Sequence, residues 1–137
     1  MRTLAAALLT LSLSAPAFAQ SISLETMAHR TISSQIEAFR AQDGELAYSF
    51  AAPGVKRYFP SPSAFMTMVE RGYKPVYAPQ SYNFGRYGER DGTIYQEVMI
   101  TGPEGREWSA LYTLRQQKDG SMLITSVRLV RSGVKAI

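Results

Sequence analysis

Few residues in this chain could do chemistry. There is one histidine, His29, and no cysteine. A thiolate metal site, a disulfide framework and a multi-histidine metal cage are therefore excluded within one chain. His29 borders the apolar stripe of a helical segment, where it could act as a general base or proton shuttle. It could equally be a half-exposed helix residue, since no carboxylate is held near it by spacing. Glu97 is the sharpest catalytic candidate. Counting pairs back from the turn at Gly102-Pro103-Glu104-Gly105 sets Thr101 opposite Arg106, Met99 opposite Trp108, Glu97 opposite Ala110 and Tyr95 opposite Tyr112. Glu97 then shares a sheet face with Tyr95, Met99, Trp108 and Tyr112. A carboxylate there would have its charged form disfavoured and its pKa raised, and a tyrosine could donate to a developing oxyanion. The competing reading puts Glu97 at a solvated rim or against an arginine. Gln35 is an amide on a core-facing helix and must satisfy its hydrogen bonds. It would pin a neighbouring backbone segment or contact a ligand. Tyr95, Trp108, Tyr112 and Gln35 form the candidate binding set. No serine-hydrolase triad, phosphate-binding loop or metal site is supported, and no cofactor is expected.

The elements that position these residues follow from pattern. The chain has 137 residues, 45% apolar and 19% charged. That composition suits a single globular domain and excludes a disordered or collagenous chain. Met1-Arg2-Thr3, an apolar run from Leu4 to Leu13, and Ala15-Pro16-Ala17-Phe18-Ala19 read as a secretory signal cleaved after Ala19. The expected organisation is thus a signal over 1–19 and one domain over 20–137, periplasmic or secreted. No later segment is long and apolar enough for stable membrane insertion. The formal net charge of +4 is mild and scattered, apart from Arg128, Arg131 and Lys135, so no nucleic-acid partner is expected.

Ala28, Ile32, Ile36 and Phe39 mark one helical face within Ser21 to Gln42, with Ser23 as cap, Glu25 in the first turn, and Asp43-Gly44 as the stop. Glu45 to Ala52 reads as a short helix broken by Pro53-Gly54. Val55, Tyr58 and Phe59 are spaced for one further turn. Ser61-Pro62 opens a third helix that Gly72 ends. From Val76 the period becomes two: Tyr82 and Phe84 alternate with polar neighbours. Thr93–Thr101, Glu107–Gln117 and Met122–Val130 are three longer strands, the last pair joined by Asp119-Gly120 as a two-residue primed turn. That turn sets Tyr112 beside Val127 and Ala110 beside Leu129, with Ile124 on the opposite face. Both faces are apolar enough to expect cover. The fold class is α+β: N-terminal helices followed by an antiparallel sheet.

Gln35-Ile36-Glu37-Ala38-Phe39, Phe50-Ala51-Ala52-Pro53 and the run from Phe65 to Tyr77 resemble a bacterial family known as domain of unknown function 4864. Gln96-Glu97-Val98, Gly105, Tyr112-Thr113-Leu114 and Asp119-Gly120-Ser121 fit too, so the likeness runs from about Ile32 to Leu129. Where the family usually has Trp after the Asp-Gly turn, this chain has Met122. The family is similar to the nuclear-transport-factor-like (SnoaL-like, cystatin-like cone) superfamily. The resemblance implies a cone, N-terminal helices packed on a curved antiparallel sheet with an internal pocket, and assigns no activity. Three functions follow as expectations. The first is an exported binding module for a small apolar or amphipathic ligand or a protein segment. The second is a cofactor-independent lyase or isomerase using Glu97 and a tyrosine. The third is an interaction protein forming a homodimer through its sheet.

Overall fold

The structure is a computed structural model and describes residues 21–132. The expected signal over 1–19 and Lys135 lie outside the described residues. Helix α1 (Leu24–Arg40) begins where Ser23 Oγ accepts the Thr26 N–H at 3.1 Å, with Glu25 in the electropositive first turn. Ala28, Ile32, Ile36 and Phe39 are all buried along it. Its end differs from expectation. Gln42 takes the left-handed conformation at φ 55°. Asp43 is thereby freed to cap the next helix, its Oδ1 accepting the Leu46 N–H at 3.1 Å. Gly44 begins α2 (Gly44–Ser49), where an added Cβ would meet the Met66 side chain at 3.0 Å. That glycine serves close helix packing rather than a stop.

Helices α3 (Pro53–Tyr58), α4 (Pro62–Gly72) and α5 (Lys74–Tyr77) follow. Lys74-Pro75 starts α5 instead of opening extended chain, because proline's fixed φ suits a first helical turn. The four strands are β1 (Ser81–Arg90), β2 (Thr93–Thr101), β3 (Glu107–Gln116) and β4 (Met122–Arg131). They form an antiparallel meander in chain order, so the α+β class holds.

Turn chemistry fixes the register, and it corrects two readings. The β2–β3 loop closes at Gly102 N–H to Arg106 O, 2.8 Å, with Gly105 left-handed at φ 81°. Thr101 therefore pairs with Glu107, one residue on from the expected Arg106. A one-residue slip moves a whole strand's side chains to the other face. Ile94, Gln96, Val98 and Ile100 now share the core face with Trp108, Ala110, Tyr112 and Leu114, across from them in pairs such as Gln96–Tyr112. Tyr95, Glu97 and Met99 lie on the outer face. The two-residue primed turn is Asp91-Gly92, at φ 51° and 77°, and not Asp119-Gly120. In the latter only Gly120 is left-handed, and Gln117 N–H bonds Ser121 O at 2.7 Å, making a three-residue loop.

That extra loop residue is undone by a bulge in β4. Leu114 pairs with Ile124 but Thr113 with Ser126. Tyr112 consequently does face Val127, and Ala110 faces Leu129. Ile124, expected on the other face, joins them in the core, because the bulge reverses side-chain parity at Thr125. The helices cover one face only. On the other, Tyr95 and Met99 are about half exposed, at 49% and 48%.

Candidate functional site

Two contacts tie the early chain to the last strand. Ala51 forms a parallel bridge with Ile124, through Ala52 N–H to Ile124 O at 2.8 Å and Ile124 N–H to Phe50 O at 2.9 Å. Thr31 Oγ1 donates to Met122 O at 2.9 Å. The bridge fixes where α3 starts. Pro53 then turns the chain so that Val55 and Phe59, four residues apart, face inward together. Tyr48 donates its hydroxyl to Phe59 O at 2.5 Å, and Ser61 caps α4 by accepting the Ala64 N–H at 3.1 Å.

Between these pieces lies a cleft of about 270 Å³. Phe39 of α1, Val55 and Phe59, Phe65, Met68 and Val69 of α4, Val76 of α5, and Ile124 and Val127 of β4 make its apolar wall. Gln35, Tyr73 and Ser126 also line it. None of the described lining residues carries a charge. Gln35 is 3% exposed. Its Nε2 donates to Ala47 O at 3.1 Å, pinning α2 to α1. Such a wall excludes water from an apolar guest and offers little means of activating one.

The other sequence candidates fall elsewhere. Glu97 sits on the outer face, its Oε2 accepting from Arg86 Nη2 at 3.3 Å. Its carboxylate also leaves no room beside Gly85, where a Cβ would lie 2.5 Å from Oε1. Tyr95 shares that outer face. Trp108 is on the core face but away from the cleft. It lines a smaller notch of about 130 Å³ with Lys74, Pro75, Gly102, Pro103, Glu104 and Arg106, and Arg131 lies over its ring at 5.9 Å. Tyr112 is fully buried beside Val127, and among the described residues its hydroxyl has no hydrogen-bond partner. Burial, and secondarily the nearby Tyr82, push its pKa well above the usual tyrosine range. The four candidate binding residues are therefore not one constellation; only Gln35 lines the cleft.

His29 belongs to a polar cluster apart from the cleft. Its ring stacks on Phe84 at 3.8 Å, with 8° between the planes. Nε2 lies 2.9 Å from Gln96 Oε1 and 3.9 Å from Glu25 Oε1. Gln96 Nε2 lies 2.8 Å from Glu97 O and 3.3 Å from both Gly85 O and Arg86 O, so three carbonyls share its two N–H donors. An amide oxygen only accepts, so His29 must carry its proton on Nε2. Glycine-bearing β1 slips register between Phe84 and Tyr87, and Gln96 is the side chain that satisfies the carbonyls there. Among the described residues no group of three or more acidic or histidine side chains could hold a metal. No described helix is long and apolar enough to cross a membrane.

Sequence reasoning gave Val55 and Phe59 no place in a pocket, although both line the cleft with Met68 and Tyr73. Val55 and Phe59 carry only a four-residue spacing after Pro53-Gly54, whereas Met68 reads as part of a buried helical face with Phe65 and Val69, and Tyr73 as an aromatic folded back onto it.

The family described as domain of unknown function DUF4864 matches residues 23–137. The chain belongs to that family. A search of curated proteins found no match. Among solved structures, Aln2 from a Streptomyces species, determined at 1.8 Å, is similar in fold. It is 16% identical, over 81% of this chain and 92% of Aln2, with a TM-score of 0.53. For this DUF4864 member the likeness to Aln2 is one of architecture: helices on a single antiparallel sheet.

Proposed function

We propose that the protein is an exported binding module, a cone of the nuclear-transport-factor-like superfamily, holding a small apolar or amphipathic molecule in the cleft between α1, α3, α4, α5 and β4. The observation that carries this reading is the composition of the cleft: apolar on nearly every side, uncharged, with a buried amide at one point. Export rests on the sequence of Met1 to Ala19. The lyase reading loses its motivation, because Glu97 and Tyr95 face away from the cleft and Glu97 is engaged with Arg86.

Native mass spectrometry of protein purified from its own host tests this directly. An adduct of defined mass is expected, together with an N-terminus at Gln20. Val127→Trp, which fills the cleft from β4, should abolish the adduct while circular dichroism stays unchanged. An empty protein that also gives no thermal shift with small apolar probes would sink the binding reading.

A second reading is a partner surface on the outer sheet face. Tyr95 and Met99 of β2 and Val130 of β4 are its exposed large apolar residues. Sedimentation of the protein and of Tyr95→Glu separates the cases: a dimer lost on substitution supports it, and a monomer at every concentration removes it.

A further inference from the structure

The polar groups of the cleft limit what it can hold. Gln35 Nε2 donates to Ala47 O. A carbonyl cannot donate, so the NH2 end of the amide must face Ala47, and Oε1 is fixed on the other side. Among the described residues no hydrogen bond reaches Oε1, although Gln35 is 3% exposed and lines the cleft. It is an acceptor without a donor. Ser126 offers no substitute, since its hydroxyl is held by Thr113 Oγ1 at 2.6 Å on the far face of the sheet. Tyr73 is only half buried. With no cation among the described lining residues, a carboxylate at the Gln35 end would be buried unpaired and would meet an amide oxygen, both costly. A pure hydrocarbon would leave Oε1 unsatisfied. An apolar cavity of ~150 Å³ accommodates benzene, so this one has room for roughly ten heavy atoms.

We infer that the cleft selects a neutral molecule with an apolar body and one hydrogen-bond donor, a hydroxyl or N–H, seated on Gln35 Oε1. This assignment deepens the binding reading and rests on it.

Three probes of one shape test it: 4-propylphenol, its methyl ether, and 4-propylbenzoate at neutral pH. Calorimetry on the unaltered protein is expected to show the phenol binding roughly three- to tenfold more tightly than the ether, the worth of one hydrogen bond. The carboxylate should bind at least about tenfold more weakly than the phenol. Val127→Trp should remove all binding, which places the probes in the cleft. Gln35→Leu should bring phenol and ether within about twofold of each other. If that variant does not fold, the three-probe series on the unaltered protein decides alone. Equal binding of phenol and ether, or preference for the carboxylate, overturns the Gln35 assignment and leaves the cleft standing. Binding of none of the three overturns the assignment together with the binding reading.

Discussion

Two glutamines are buried in this core, and they are used in opposite ways. Gln96, 1% exposed, has both ends engaged: His29 supplies a donor to its oxygen, and its nitrogen serves carbonyls of Gly85, Arg86 and Glu97. Gln35 donates one N–H to Ala47 O and, among the described residues, leaves its oxygen without a donor beside a cleft. A saturated buried amide holds a fold together, whereas an unsaturated one next to a void marks where a guest's polar atom belongs. The same residue type at similar depth thus carries structure at one end of α1 and recognition further along it.

The largest effect should come from breaking the saturated member. Gln96→Leu strands the His29 N–H and the carbonyls at the β1 irregularity, and is expected to cost about 2–4 kcal/mol in urea unfolding. Tyr112→Phe should act in the other direction. It removes a buried hydroxyl that has no partner and is expected to stabilise by about 1–2 kcal/mol. It also has a pH signature. The folded phenol is held neutral above the usual tyrosine pKa of 10.0. Below that pH its contribution is fully present; above it the unfolded chain ionises first, and stability falls by up to about 1.4 kcal/mol per pH unit. Tyr112→Phe should remove that share of the alkaline slope. Gln35→Leu should cost about 1 kcal/mol, one hydrogen bond to Ala47 O, and show most of its effect in ligand preference. A loss as large as that of Gln96→Leu would erase the contrast between the two amides. Arg86→Ala is expected to change stability by under about 0.5 kcal/mol, because the arginine is 91% exposed in its pair with Glu97.

What could be read from sequence was mostly local. Ser23 and Ser61 announce their helices through hydroxyl caps, and the apolar stripe of α1 is buried as its period requires. β1 was legible only at Tyr82 and Phe84, because Gly85 and Gly88 dilute its alternation. Sheet faces depended on loop counts that glycine conformation decides. Gly105 adds one residue to the β2–β3 closure, and that placed Glu97 and Tyr95 on the wrong face. Gly120 adds one to the next closure as well, but the bulge at Thr125 subtracts it, so Tyr112 and Val127 were paired correctly for an incomplete reason. Of the site, Gln35 stood out as an amide on a core face. The cleft itself did not, since α3 is placed by the Ala51–Ile124 bridge, a long-range pairing with no local signature.

That bridge also dictates an order of events. The meander strands can pair with their chain neighbours as each hairpin closes. The cleft cannot form until β4 has emerged and returned to meet Phe50–Ala52, and Thr31 must likewise find Met122 across 91 residues. Closing loops of that length is slow relative to hairpin formation. A chain truncated before Met122 would lack the strand wall of the cleft, so ligand capture reports on completion of the last strand.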